Sequence, residues 1–321
     1  MKTFFRTVLG DKPVEDMGLC YAHEHIVIED SYVTTSYPQF LLNDTTKIAR
    51  ELADFYLLGG RTVVDTMPAD CGRNVKKLAQ VSELSRVHII APTGIHLPKY
   101  YPPYHWQFSY SADRLTELFI ADVNLGIDKY DYHGPHLERT THRAGLIKLA
   151  SGDGPLSTQE IKLFTAAVDA QRVTGVPILT HTNGGKLALA QVELLIKLGA
   201  RLDHVIISHT DKNPDLALHR ALLSSGVYLE YDSAFRWKTP EPNHTFLILK
   251  HLLPDYHQHI MLGMDLARHS YWRSYGGQPG LTWLIENIPM VLKQWGMEEF
   301  LQDMFYRNPA AAFSFVQIPT S

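Results

Sequence analysis

The sequence predicts a (β/α)8 barrel, a TIM barrel of the α/β class, and three observations carry the prediction. Eight short apolar runs recur along the chain, rich in Val, Ile and Leu with little alternation. Strands covered on both faces read that way. Amphipathic segments of helical length separate the runs, and strand–helix alternation of this kind makes a parallel sheet. No Gly-rich dinucleotide fingerprint follows the first run, which disfavours an open doubly wound sheet.

The runs, in order, are residues 19–22, 62–65, 88–92, 144–149, 176–180, 204–208, 227–231 and 259–263. Residues 1–18 precede the first as a short N-terminal extension of a single domain spanning 1–321. Helices are expected over 46–58, 111–125, 158–174, 187–198, 214–224 and 245–253. Ser157 followed by Glu160 is a capping box for the third. Asn213-Pro214 is expected to start the fifth, with Pro at the first helical position. Gly59-Gly60, Gly175, Gly199 and Gly226 stand where helices should stop.

In such barrels chemistry sits at the C-terminal ends of the strands. Run one ends in His23 and His25, whose side chains share a face at strand spacing and can chelate one cation. Run four contains Lys148, and a lysine inside an apolar strand is costly unless paired or chemically altered. Run five ends in His181, run six in His209, and run eight is followed by Asp265. Each has a plainer explanation alone: a hydrogen-bonded loop histidine, a helix cap. Together, at matching strand ends, they read as a metal site.

The 321 residues are 45% hydrophobic and 20% charged, as in an ordinary globular protein. The net charge of -4 offers no basic footprint for nucleic acid. No run approaches the ~18 apolar residues of a membrane helix. The N-terminal apolar stretch is too short for a secretion signal. Cys20 and Cys71 make no disulfide framework, and a reducing cytoplasm fits them. Cys20 is expected to be a buried packing residue.

At these residues the sequence resembles the phosphotriesterase family of the amidohydrolase superfamily. The likeness runs from Arg6-Thr-Val-Leu-Gly and Met17-Gly-Leu-Cys-Tyr-Ala-His-Glu-His through Gly72-Arg-Asn-Val, Arg143-Ala-Gly-Leu-Ile-Lys and Thr180-His-Thr-Asn to Arg307-Asn-Pro-Ala. The resemblance implies two divalent metal ions, usually zinc. His23, His25 and Asp265 would hold the more buried ion, and His181 and His209 the more exposed one. Lys148, carboxylated on its amine, would bridge both together with a hydroxide. That hydroxide would attack a carbonyl carbon or a phosphorus, with Asp265 as the catalytic proton acceptor.

The loops after runs seven and eight, 231–238 and 265–272, look like the branch that hydrolyses phosphorylated sugar lactones. The resemblance implies that Lys238, Arg268 and Tyr271 bind the substrate's phosphate. Arg presents a planar fork to phosphate oxygens, Lys a point charge and Tyr a hydroxyl. The alternative is a solvated charged loop. The aromatic loop 96–106 either covers the site or makes a contact in a homodimer. His133, His136 and His142 are expected to be surface residues or supports. The leading expectation is therefore a metal-dependent lactonase acting on a small molecule, without nucleic-acid or membrane partners. A phosphotriesterase or N-acyl-homoserine lactonase with the same centre is the alternative. A metal-loaded barrel that only binds a partner is a further one.

Overall fold

The computed structural model describes residues 3–238 and 242–316. Its eleven strands are β1 (Phe4–Thr7), β2 (Gly10–Pro13), β3 (Leu19–Glu24), β4 (Gly60–Asp65), β5 (His88–Ile90), β6 (Pro92–Gly94), β7 (Leu146–Ala150), β8 (Ile178–His181), β9 (Val205–Ser208), β10 (Tyr228–Tyr231) and β11 (Ile260–Leu262). The expected third strand is broken in two. β5 pairs with β4 and β6 with β7, all parallel. Pro92 has no N–H to continue the ladder through the break. Across it, the Ala91 carbonyl accepts from Gly145 N at 2.8 Å.

The barrel closes between β11 and β3 by a tighter device than a ladder. Asp265 N donates to the His23 carbonyl at 3.0 Å. The buried Glu24 carboxylate accepts from Met264 N at 2.8 Å and Leu266 N at 3.3 Å. Gly263 makes this approach possible, because a Cβ there would lie 2.8 Å from the His23 backbone.

Inside the barrel, Cys20, Ala22, Val64, Ile90, Leu146, Leu179, Ile206 and Met261 form one apolar cluster. Cys20 is thus the buried, unpaired packing residue expected. Phe5, Met17 and Phe313 join the same cluster. Phe5 comes from the N-terminal segment, which is an antiparallel hairpin of β1 and β2. Its Val8 N bonds to the Ile89 carbonyl, so residues 4–13 are part of the packed body. Asn308, in the C-terminal motif, ties that end in by donating to the Ile260 carbonyl at 2.8 Å.

All six expected helices are present, with ends moved by a few residues. The capping box of Ser157 and Glu160 forms, and Gly175 closes that helix at φ 73°. The expected start at Asn213-Pro214 is wrong. That helix is Leu216–Ser224, and Asp215 caps it by accepting from Ala217 N and Leu218 N. A carboxylate satisfying two free N–H groups outweighs proline's preset φ. Two longer helices add to the six. Val75–Ser85 starts from the Asn74 cap, and Trp283–Trp295 carries Pro289 inside it, which masks the helical pattern in sequence.

The packing of β6 against β7 ties fold to site. Gly94 sits at φ 106°, and a Cβ there would lie 2.0 Å from the Lys148 carbonyl oxygen. Gly94→Ala is expected to cost at least about 2 kcal/mol, lowering the thermal midpoint by several degrees. An unchanged midpoint would show that these strands are not in forced contact.

Candidate metal centre

A bulge in β3 aims the histidines. Cys20 and Ala22 face the barrel interior, so simple alternation would turn His23 outward with Tyr21. The register against β4 shifts between Tyr21 and Glu24 instead. That extra residue switches the parity and brings His23 and then His25 inward. Lys148 lies two residues beyond the interior residue Leu146, His181 two beyond Leu179. His209 and Asp265 follow their strands in left-handed backbone, at φ 66° and 47°. Positive φ on a non-glycine residue stores strain of the kind found at functional sites.

The six residues converge on one cavity. Its volume is about 130 Å³, and His23, His25, Lys148, His181, His209 and Asp265 all line it. Ring centroids of His23 and His209 are 4.6 Å apart, as are those of His181 and His209, and His23 and His25 are 5.8 Å apart. Asp265 Oδ1 lies 3.3 Å from His25 Nε2 and 3.9 Å from His23 Nε2. Ligand atoms of His23, His25 and Asp265 fall within 4.8 Å of one another.

Three of the four histidines are held from behind, leaving one nitrogen each for the cavity. His23 Nδ1 lies 3.1 Å from Ser208 Oγ and 3.3 Å from Glu230 Oε2. His209 Nδ1 bonds to Asp232. His181 Nε2 bonds to Asn183 Oδ1 at 2.9 Å. Outer partners of this kind fix ring orientation for metal binding. Burial, followed by neighbouring cationic groups, holds His23 and His181 well below the ordinary imidazole range. His209 is lowered by burial as well. Neutral imidazoles are the ligand form.

Among the buried polar atoms without a hydrogen-bond partner in the described residues are Lys148 Nζ and His25 Nδ1. Burial pulls the Lys148 amine down to about 7, against the attraction of Asp265, Glu230 and Asp232. An orphaned amine among four imidazoles and a carboxylate suits bound cations, for which imidazole and oxygen donors are apt ligands. The donor set fits a metal centre.

Other residues in the site stand out only in three dimensions. Arg236 bridges two carboxylates, with Nη1 3.2 Å from Asp232 Oδ1 and Nη2 2.9 Å from Asp265 Oδ2. Burial would raise the Asp265 carboxyl, but Arg236 first and then the histidines hold it well below the usual range. His96 lines the cavity, its ring 5.0 Å from that of His181. Glu230 is fully buried on β10, and neither of its oxygens has a hydrogen-bond partner. A charged residue inside an apolar run was its signal, the same signal Lys148 gives. With His23, His209 and Asp232 it makes a second group of close ligand atoms.

Of the three residues expected to bind phosphate, two adjoin each other near the cavity. The Arg268 guanidinium lies 5.9 Å from the Tyr271 ring and 5.8 Å from Phe40, which lines the cavity. Lys238 stands exposed two residues past Arg236. The aromatic loop divides: His96 and Tyr100 line the cavity, while Tyr104 is 99% exposed. His133 and His142 act as supports, on Asp70 at 2.5 Å and on the Val8 carbonyl at 2.7 Å. His136 lies at the surface beside Tyr130.

The phosphotriesterase family pattern matches residues 3–313. The chain belongs to the phosphotriesterase family. Its members are binuclear metal hydrolases. A phospho-furanose lactonase of Mycoplasmopsis synoviae is 32% identical, over 97% of this chain and 92% of the relative. A lactonase from Listeria monocytogenes superposes with a TM-score of 0.89 at 27% identity, over 98% of this chain and all of that one. The phosphotriesterase homology protein of Escherichia coli, solved with phosphate in its active site, superposes at 0.83 with 25% identity, over 93% and 99% of the two chains. This member therefore shares the family's barrel along nearly its whole length, and it is a hydrolase.

Lys148→Met is expected to abolish metal uptake and, in the metal-free protein, to raise stability, because an uncharged thioether replaces a buried amine without a hydrogen-bond partner among the described residues. The gain depends on pH with a definite sign. Near pH 7 and below, Lys148 is charged in both states and its burial penalty is felt in full. From about 7 to about 10.4 only the unfolded lysine holds its proton, so the wild type gains stability as pH rises. The advantage of the variant in urea unfolding should shrink from about pH 7 to about pH 9.5. An advantage that grows with pH would contradict this.

Proposed function

We propose that the protein is a metal-dependent hydrolase that opens a phosphorylated sugar lactone. The carrying observation is one cavity lined by His23, His25, Lys148, His181, His209 and Asp265, with Arg268 lying near both Tyr271 and the cavity residue Phe40. Two bound divalent cations would supply Lewis acidity and hydroxide at neutral pH. His23, His25 and Asp265 would hold the buried ion, His181 and His209 the exposed one, and a carboxylated Lys148 both. Imidazole and carboxylate donors make zinc our choice of metal.

The chain's own residues then have distinct tasks. Asp265 takes the proton as the water oxygen adds to the lactone carbonyl carbon. It returns that proton to the ring oxygen as the ring C–O bond breaks, leaving an open-chain hydroxy acid. Arg236, fixed on Oδ2, keeps the carboxylate turned so that Oδ1 faces the cavity. Arg268, Tyr271 and Lys238 bind the phosphate, on the loops after β10 and β11, the last two strands of the barrel, where barrels of this kind commonly hold it. The phospho-furanose lactonase relative and the phosphate in the Escherichia coli site support this choice.

A phosphotriesterase or N-acyl-homoserine lactonase has one observation in its favour. Ile28, Val33, Phe40 and Met67 make one cavity wall apolar. Two unpaired buried cysteines suit a reducing cytoplasm, and no helix among the described residues is long and apolar enough to cross a membrane. Exposed Tyr104 is a candidate contact in a homodimer.

Asp265→Asn is expected to cost on the order of 10³-fold or more in kcat. Arg268→Ala should raise KM about tenfold for phosphorylated aldonolactones and leave unphosphorylated ones unaffected. Equal effects on both substrate sets in a lactonase assay would refute the phosphate assignment.

A further inference from the structure

We propose that His96 donates a hydrogen bond from Nε2 to the lactone carbonyl oxygen, and more strongly to the oxyanion that forms there. The inference rests on the lactonase reading above and assigns a residue that reading does not use.

The tautomer follows from the backbone. Leu97 N donates to His96 Nδ1 at 2.7 Å. An amide N–H can only donate, so Nδ1 is the unprotonated nitrogen and the neutral ring carries its proton on Nε2. Protonating Nδ1 would set two N–H groups against each other. Burial and the nearby His181 also favour the neutral ring. Nε2 has no partner among the described residues, and the ring lines the cavity. His96 therefore presents one donor and no charge.

The ring is held in place before any substrate arrives. His96 N donates to the Tyr101 hydroxyl at 2.9 Å, and that hydroxyl donates to the Ala69 carbonyl at 3.0 Å. Tyr101 is buried, so this chain pins the loop to the barrel top. Tyr100 packs edge-on against the ring at 4.6 Å. A donor fixed in advance, in a site with little water, stabilises developing charge without reorganising.

Position selects the oxygen. The His96 ring is 5.0 Å from His181, which is proposed above to hold the exposed ion. The carbonyl oxygen belongs on that side, so His96 and the exposed ion would share it. The ring oxygen, served by Asp265, belongs across the cavity.

The test compares wild type with His96→Phe and His96→Gln on a phosphorylated aldonolactone, with metal content measured for all three. His96→Phe keeps a planar ring and loses the donor. Its kcat should fall on the order of 10²-fold with KM changed less than about threefold. His96→Gln, which keeps an N–H, should recover part of that loss. A Phe variant with kcat within about twofold of wild type, or one that loses metal, would overturn the assignment. A wild type inert toward every lactone would instead refute the lactonase reading. Nitrogen-15 NMR of the metal-free wild type tests the tautomer without any variant. His96 protonated on Nε2 alone supports the proposal, and a proton on Nδ1 overturns it.

Discussion

A lysine amine buried in the top of the barrel, with no hydrogen-bond partner among the described residues, is the constraint on which the rest of the site depends. Such a group is unfavourable in a protein that needs only to fold. The imidazoles of His23, His25, His181 and His209 and the Asp265 carboxylate share its cavity, a cage of polar groups where a packed core would have apolar ones. Gly94 gives up its side chain so that the neighbouring strand can lie against Lys148. Burial favours the neutral form of His23, His181 and His209, the form in which imidazoles can crowd around an amine.

The carboxylates behind the cage do the orienting. Asp232 holds His209, Glu230 faces His23, and Arg236 ties Asp232 to Asp265. Arg236 also donates to the Asp265 carbonyl at 2.7 Å, so it grips both ends of a residue at positive φ. The same backbone region closes the barrel, because Asp265 N bonds to the His23 carbonyl. Barrel closure and ligand geometry are thus one set of interactions. A change that loosens the seam between the last and first strands moves Asp265 relative to His23.

Periodicity made the barrel legible in sequence, since parallel strands buried on both faces leave long apolar runs. The convergence of His23, His25, Lys148, His181, His209 and Asp265 on one cavity was legible for a related reason: polar residues at the ends of such runs have few structural uses. The β3 bulge was not legible. Cys20, Ala22, His23 and His25 share the interior although alternation cannot place all four there, and only the register with β4 reveals the extra residue. Arg236 was hidden because an arginine in a polar loop carries no pattern, and its two partners, Asp232 and Asp265, follow different strands. The hairpin at residues 4–13 was hidden because Gly-Asp-Lys-Pro has poor strand propensity; pairing with β1 makes it a strand.

The central claim is that this cage holds two ions joined by a modified Lys148. An anomalous-scattering map from crystals of the metal-loaded protein grown with bicarbonate tests it directly. The expected result is two peaks among His23, His25, His181, His209 and Asp265, with density extending beyond Lys148 Nζ to both. One peak among His23, His209, Glu230 and Asp232, with Lys148 a bare amine, would contradict it.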